Sequence, residues 1–192
     1  WRHVDVVATD LTDNPAIGGV VLNARDVTER VESQSRLADR AYTDPLTLLP
    51  NRMRLLDRLG HILQDADDHS IMLDVDRFKA FNEAHGNAAG DDLLRQVAGR
   101  LTETVTEDHL VARLGGNEFA VVMDGVTDID DGLKAAERLR SAIARPFTVG
   151  SEEAEITASV GVAVPLADQT PEEVIGDADT AVGIAKENGR DR

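Results

Sequence analysis

The sequence predicts an α/β (α+β) domain with a β-α-β-β-α-β core, preceded by a β-hairpin and a linker helix. Residues 71–76 (IMLDVD) form a short apolar run, which is typical of a central strand covered on both faces. Residues 110–114 and 119–123 are two more apolar runs. The Gly-Gly-Asn between them indicates a hairpin, because glycine adopts positive φ at little cost. Apolar residues at helical spacing lie between and around these runs.

The composition is that of an acidic protein with an aliphatic core. Hydrophobic residues make up 42% but aromatics only 3%, so Leu, Val, Ile and Ala must fill the core. The formal net charge of −16 disfavours nucleic acid and anionic membranes, so a phosphate ligand needs a local cation or a metal. There is no cysteine, no signal peptide and no apolar run of the ~20 residues that span a membrane. We expect a fragment of a cytoplasmic protein, with any membrane anchor outside residues 1–192.

The first 26 residues alternate weakly and contain turn residues at 13–18, which predicts two antiparallel strands. Two strands alone are marginally stable in water, so we expect them to belong to a larger sheet. The segment RDVTER at residues 25–30 resembles the end of a PAS sensor domain, where the last strand leads into a helix. Asp26 or Thr28 can cap that helix, and Glu29 would lie in its first turn, where the helix dipole favours an acidic residue.

Residues 27–43 contain no glycine or proline and predict a linker helix. Its small and apolar residues recur at alternating spacings of four and three, a weak heptad pattern. That pattern favours a two-stranded signalling coil, and hence a homodimer formed through the linker. The alternative is a surface helix packed on its own domain. The heptad positions are Val27, Val31, Gln34, Ala38 and Ala41.

The elements that follow alternate between helix and strand. Pro45 ends the linker helix, and Pro50 precedes a helix with a clear apolar face. Asp74 lies inside an apolar run, where a carboxylate is costly unless it is paired or binds a cation; Asp76 is better placed to cap the next helix. A helix with apolar residues from 93 to 101, the hairpin, another helix, a strand at 156–164 and a capped final helix complete the order. This order is a ferredoxin-like or palm arrangement, which places Asp74 beside the hairpin tip.

The hairpin segment RLGGNEF resembles the signature of the GGDEF domain family, the diguanylate cyclases, in which Asp or Glu stands where this chain has Asn117. Three further segments resemble family motifs in the same order, and the resemblance covers about residues 42–192. It implies a nucleotidyl-cyclase fold and the division 1–26 (PAS-like strands), 27–43 (signalling helix) and 44–192 (GGDEF domain). The three segments, with their departures, are YTDPLTLLPNR (Leu48 for Gly), RFKAFNEAHGNAAGD (Glu83 for Asp, Asn87 for His) and DADTAVGIAKENGRDR (Gly183 for Tyr).

The resemblance implies a GTP site. Asn82 and Asp91 would read the guanine base, and Lys186 and Arg190 would face the phosphates. Asp91 could also cap the helix after it, and the two cations could compensate a helix dipole. The full set of substrate-binding positions is Phe78, Lys79, Asn82, Asp91, Gly115, Gly116, Lys186 and Arg190.

The resemblance also implies a metal site and a reaction. Asp74, the carbonyl of Val75, Asn117 and Glu118 would hold Mg²⁺ or Mn²⁺, with Asn117 and Glu118 as the catalytic positions. Two domains would meet, and the 3′-hydroxyl of each GTP would attack the α-phosphate of the other, giving cyclic di-GMP and pyrophosphate.

Asn117 carries no charge and cannot accept a proton, and a missing general base costs roughly 10²–10⁴ in rate. We therefore expect GTP binding with weak or absent cyclase activity. The alternatives are an active cyclase and a pure dimerisation or signal-transmission module, with a cyclic di-GMP phosphodiesterase domain beyond Arg192.

The family's product-inhibition motif is missing. Its Arg and Asp positions align with Thr106 and His109, which supply neither an arginine fork nor a carboxylate. The neighbouring Glu107 and Asp108 would repel a dinucleotide. We therefore expect no inhibitory site there.

Overall fold

The computed structural model describes residues 1–11, 13, 16, 18–30, 41–63, 69–123, 126, 128–166 and 168–192. These residues form two compact units, residues 1–41 and residues 42–192. None of the helices in this part of the chain has the length and apolar character needed to cross a bilayer.

The first unit contains the predicted antiparallel hairpin. β1 (Val4–Leu11) pairs with β2 (Gly19–Asp26) in a continuous register from Val4 opposite Asp26 to Leu11 opposite Gly19. Asp26 accepts a hydrogen bond from the Thr28 amide at 3.0 Å, and residues 28–30 begin a helix, so Asp26 serves as the predicted cap. Three of the five heptad positions, Val31, Gln34 and Ala38, lie outside the described residues, so the coiled coil stays a prediction.

The second unit alternates helices and strands. Its elements are α1 Arg52–Ile62, β3 His69–Val75, α2 Phe78–His85, α3 Asn87–Thr104, β4 Leu110–Gly115, β5 Glu118–Met123, α4 Ile129–Ile143, β6 Phe147–Val149, β7 Glu152–Ala154, β8 Ala158–Ala163 and α5 Pro171–Glu187.

Four of these strands form one antiparallel sheet in the order β4-β5-β3-β8. Of these four, the first and last in sequence, β3 and β8, are neighbours, and β5 pairs with both β3 and β4. Together with the helices between them, this order is the predicted β-α-β-β-α-β arrangement, so the mixed α/β fold with an antiparallel core is confirmed.

Both faces of the sheet are covered, which explains the continuous apolar runs in its central strands. Alternate residues of β5 face opposite layers, because side chains in a strand point to alternating sides. Phe119 and Val121 pack in one core cluster with α3 and α4, whereas Ala120 and Val122 pack in a second cluster with α1 and α5. The site is therefore built on a central strand pair that is rigidly packed on both sides.

Two parts of the fold differ from the sequence prediction. The connection after β3 is two helices, α2 and α3, which are separated at Gly86 with φ 85°. Because α3 begins at Asn87, Asp91 lies inside this helix and does not cap it. The short β6–β7 hairpin was not predicted; it is held against α3 by Arg100, whose guanidinium lies 3.5 Å from the centre of the Phe147 ring.

The final helix is held closely against the sheet. Thr170 and Glu173 form the predicted capping box at its start. Gly161 of β8 allows the close approach, because a Cβ there would lie 2.3 Å from the Ala178 carbonyl oxygen. Beyond the helix, the carbonyl of Arg192 accepts a hydrogen bond at 2.8 Å from the amide of Val160 in the edge strand β8.

Leu48, in the turn before α1, has a backbone conformation that favours glycine. Leu48 has φ 61° and is 77% exposed. A glycine would adopt this left-handed conformation without the steric penalty that a leucine incurs. Leu48 therefore places local backbone strain in this turn.

Candidate functional site

The end of β3 and the tip of the β4–β5 hairpin form one side of the candidate site. Asp74 lies opposite Glu118 in the register of β3 and β5, as the sequence predicted. The turn needs its glycines, since Gly115 has φ 141° and Gly116 has φ 53°. The hairpin therefore places Asn117 and Glu118 next to the carboxyl end of β3.

Asn117 is tied to β3 by its side chain and its backbone. Its amide nitrogen Nδ2 donates to Asp74 Oδ1 at 2.9 Å and to the Val75 carbonyl at 2.7 Å. Its own carbonyl accepts a hydrogen bond from the Val75 amide at 3.1 Å. The amide NH₂ thus lies against the two oxygens that were predicted to hold a metal.

The other oxygen of Asp74 pairs with Lys186 of α5. The distance from Lys186 Nζ to Asp74 Oδ2 is 2.8 Å, and the Asp74 side chain is only 10% exposed. Burial raises the pKa of Asp74, and the hydrogen bond and charge of Lys186 oppose that rise. Burial and the nearby charge of Asp74 also raise the pKa of Glu118. The acidic residues of the site are thus partly balanced by the half-buried ammonium group of Lys186.

Asp76 anchors the backbone around the site and does not cap α2, so that alternative is wrong. Its two oxygens accept hydrogen bonds at 2.7 Å from the hydroxyls of Ser159 and Thr157. The cap position of α2 is Arg77, in a left-handed conformation with φ 54° and no side-chain cap. Arg190 lies near Asp76, with 3.8 Å between Arg190 Nε and Asp76 Oδ1.

A buried arginine, which the sequence analysis did not identify, holds the hairpin turn. Arg113 donates from Nη2 to the Gly116 carbonyl at 2.7 Å and from Nη1 to Asp44 Oδ1 at 2.9 Å. Burial pushes the pKa of Asp44 upward, but hydrogen bonds from Thr47 and Arg113 outweigh it and lower the pKa. The sequence did offer a signal for this contact: an arginine inside an apolar strand indicates a buried charge, and a buried charge needs a partner.

A second group of predicted residues meets where α2 and α3 cross. The side-chain oxygen of Asn82 is buried and has no hydrogen-bond partner. It lies against Gly90, where a Cβ would approach it to 1.8 Å and the Phe78 ring to 3.1 Å. Asp91, the next residue of α3, is exposed. Asn82, Phe78 and Asp91 are thus gathered on one helix pair.

Lys79, on α2, is exposed to solvent, and its side chain makes no hydrogen bond or ion pair with the other predicted site residues in the described part of the chain. Its side chain is 91% exposed, and its nearest acidic neighbour is Glu83 on the same helix, at 3.9 Å. A contact of that length on the surface contributes little. Lys79 is therefore available to a ligand without breaking a strong ion pair.

The loop before β4 carries Thr106 and His109. The Thr106 carbonyl accepts from the His109 amide at 3.1 Å, and the buried His109 Nδ1 has no hydrogen-bond partner. The groove beside it is lined by both signs of charge: Arg54, Arg58 and His61 with Asp57, Glu107 and Asp108. The absence of an inhibitory site there stays a prediction.

In this arrangement the residues at the end of β3 do not fit a divalent cation. Mg²⁺ and Mn²⁺ need oxygen ligands with open lone pairs, preferably anionic ones. Asp74 and the Val75 carbonyl are instead hydrogen-bonded to an amide NH₂, and Lys186 adds a positive charge. Across the described ranges, no three acidic, histidine or cysteine side chains are grouped to hold a metal ion.

Several known proteins are similar to this chain in sequence and in fold. The profile of the family described as "Diguanylate cyclase, GGDEF domain" matches residues 41–192. Cyclic di-GMP phosphodiesterase PdeR of Escherichia coli is 36% identical over 176 residues, which are 89% of this chain and 26% of PdeR. The bifunctional diguanylate cyclase/cyclic di-GMP phosphodiesterase MucR of Pseudomonas aeruginosa is 38% identical over 169 residues, which are 85% of this chain and 24% of MucR.

A solved structure agrees with these matches. Diguanylate cyclase SiaD of Pseudomonas aeruginosa, crystallised with its activator SiaC, superposes with a TM-score of 0.74 at 33% identity, covering 85% of this chain and 70% of that one. The chain spans about a quarter of the length of the two curated relatives. The profile match, which takes in both the hairpin tip and the α2–α3 pair, establishes that the chain belongs to the diguanylate cyclase GGDEF-domain family.

Proposed function

We propose that residues 41–192 bind GTP and make little or no cyclic di-GMP. Members of this family bind GTP and generally use divalent metals. The observation that carries the proposal is the buried side-chain oxygen of Asn82, which has no partner. A buried acceptor without a donor is costly, so this oxygen favours a ligand that brings an N–H group.

Guanine has the groups that suit this position. It presents N1–H and N2–H donors on one edge, which match the unpartnered Asn82 oxygen and the exposed Asp91 carboxylate. Adenine has no amine at C2 and cannot satisfy both acceptors. The Phe78 ring lies beside the same glycine, since a Cβ on Gly90 would approach it to 3.1 Å. Selectivity for guanine over adenine is therefore expected to come from Asn82 and Asp91.

A few basic side chains close to the site would bind the phosphates. The whole chain has a formal charge of −16, so the triphosphate must reach basic groups at short range. Lys79 is exposed, and Lys186 and Arg190 lie beside the acidic residues Asp74 and Asp76. These three side chains are the proposed phosphate ligands, and the glycines of the hairpin turn leave room for the phosphates to approach the backbone.

Weak catalysis follows from Asn117. An amide cannot accept the proton of an attacking 3′-hydroxyl, and loss of a general base costs roughly 10²–10⁴ in rate. Its NH₂ group is also engaged with Asp74 and Val75. Glu118 remains as a carboxylate, so an active cyclase is the alternative that product analysis must exclude.

The binding proposal is tested with Asp91→Ala and a matched control on the same helix, Asp92→Ala. Both variants remove one negative charge, but only Asp91 is proposed to face the base. Calorimetric titration should show that Asp91→Ala weakens GTP at least about tenfold, as expected for losing a charged hydrogen bond, and leaves ATP unchanged. Asp92→Ala should resemble wild type. Equal loss for GTP and ATP, or no GTP binding by wild type, would contradict the proposal.

The catalytic part is tested with Asn117→Asp, which is nearly isosteric. Chromatography of the products should show cyclic di-GMP synthesis at least about 10²-fold above wild type, the lower range for restoring a general base. The gain should require Mg²⁺ or Mn²⁺, depend on protein concentration and vanish when Asp74→Asn is added. If wild type already matches the variant, the chain is an active cyclase.

We also propose that residues 1–26 are the end of a PAS-like domain and that the linker at 27–43 joins two copies of the chain. Family members often dimerise, and MucR is a bifunctional diguanylate cyclase and cyclic di-GMP phosphodiesterase. A phosphodiesterase domain after Arg192 would make GTP binding a regulatory input. Light scattering of residues 1–192 against residues 42–192 tests the linker, since only the longer chain should form dimers.

A further inference from the structure

The arrangement around Asn117 suggests how GTP binds, and this step rests on the proposed function. An amide NH₂ group has two N–H donors. Both are directed at oxygens, one at Asp74 Oδ1 and one at the Val75 carbonyl. The amide thus places a donor on each of two neighbouring acceptors, at distances of 2.9 and 2.7 Å.

The direction of the amide is fixed by its partners. Both partners are acceptors, so turning the amide over would set its own oxygen against two other oxygens. The backbone of Asn117 is also held, because its carbonyl accepts from the Val75 amide. The side chain and the backbone of Asn117 are therefore both held, and the NH₂ orientation is the one that gives both oxygens a donor.

Lys186 completes the balance of charge. Its ammonium pairs with Asp74 Oδ2 at 2.8 Å, so both oxygens of this carboxylate have donors. A divalent cation at Asp74 would have to displace the amide NH₂ and sit close to a positive ammonium. The desolvated setting makes that repulsion stronger than it would be in water, because Asp74 is only 7% exposed.

We propose that Asn117 and Lys186 take the place of a protein-bound divalent cation, so that GTP binds this chain independently of Mg²⁺ or Mn²⁺. The amide satisfies the oxygens of β3, and the ammonium neutralises Asp74 and faces the incoming phosphates. The chain is thus a GTP-binding member of its family whose ligand affinity does not follow the divalent cation concentration.

The test compares GTP binding with EDTA and with excess Mg²⁺, by calorimetry on residues 1–192. For wild type, the two dissociation constants should agree within about threefold, a small difference on the affinity scale. Asn117→Asp should bind GTP at least about tenfold more tightly with Mg²⁺, because two adjacent carboxylates need a cation between them. Asn117→Ser, which replaces the amide NH₂ with a single hydroxyl and adds no charge, should remain independent of Mg²⁺.

A second readout avoids the nucleotide, which itself binds Mg²⁺. Electron paramagnetic resonance of Mn²⁺ added to the nucleotide-free protein should show free ion with wild type and bound ion with Asn117→Asp. GTP binding that requires Mg²⁺ in wild type, or Mn²⁺ bound by wild type, would overturn this inference while leaving the GTP proposal in place. No binding under either condition would overturn both, and an Asn117→Asp protein that behaves like wild type would remove Asn117 from the explanation.

Discussion

Gly161→Ala should destabilise the domain, because α5 lies against β8 at this glycine. The added Cβ would lie 2.3 Å from the Ala178 carbonyl oxygen and 2.7 Å from the Val182 amide nitrogen. Both atoms belong to the helix backbone, so no side-chain rotation relieves the contact, and the helix must move by about 1 Å to restore a normal separation. Overpacking of this kind costs about 1–3 kcal/mol. The reduced freedom of the unfolded chain returns about 0.4–1 kcal/mol.

The middle of each range gives a net loss of about 1.3 kcal/mol, or a fall in Tm of about 3–5 °C for a domain of this size. Urea denaturation followed by circular dichroism measures it. The matched control is Gly183→Ala, an exposed helical position of α5 where a Cβ meets nothing within 4 Å. That change should stabilise the domain by about 0.5–1 kcal/mol, the helix-propensity difference. If Gly161→Ala is as stable as wild type, the helix and strand are not packed as closely as described.

Three further outcomes are expected. Leu48→Gly should raise the free energy of unfolding by up to about 1 kcal/mol, because it relieves a left-handed leucine; a destabilised variant would contradict the strain at this turn. Asp44→Asn should cost about 1–3 kcal/mol at pH 7, as expected for a buried charged hydrogen bond to Arg113. Because the pKa of Asp44 is lowered by folding, its contribution is complete above the unfolded pKa of about 4 and is lost as the pH falls through the folded pKa. Urea titrations at several pH values should therefore show the difference between wild type and variant shrinking in acid, and a constant difference would argue against the ion pair. Cyclic di-GMP should not bind tightly beside Thr106 and His109, so saturable low-micromolar binding that a His109 substitution abolishes would refute this.

The sheet could be predicted because its signals are local. The apolar runs of β3 and β5 are continuous because both faces are covered, and the glycine pair at the hairpin tip needs positive φ. The start of α3 was misplaced because apolar periodicity begins at Leu93, whereas the helix begins at Asn87, after the break at Gly86. Periodicity locates a buried face and carries no information about exposed residues at a helix end.

The parts of the site that could not be predicted depend on contacts between distant segments. The salt bridge between Arg113 and Asp44 joins residues that are far apart in the chain, and the spacing of residues in the sequence does not reveal it. The identity of Asn117 was readable, but the direction of its amide depends on the Val75 carbonyl, a backbone group that carries no sequence signal. The unpartnered oxygen of Asn82 could not be predicted either, because its burial depends on the packing of Gly90 against it.

The hydrogen bond between the Val160 amide and the Arg192 carbonyl has a consequence for solubility. β8 is one of the two outer strands of the four-stranded sheet, and an outer strand with free amides is a template for intermolecular strand addition and aggregation. The Arg192 carbonyl accepts a hydrogen bond from one of those amides, that of Val160. An ion pair between Arg140 and Asp191 holds the same segment in place. Residues 190–192 thus cover part of this sheet edge, so loss of the Arg140–Asp191 ion pair is expected to expose it and promote self-association.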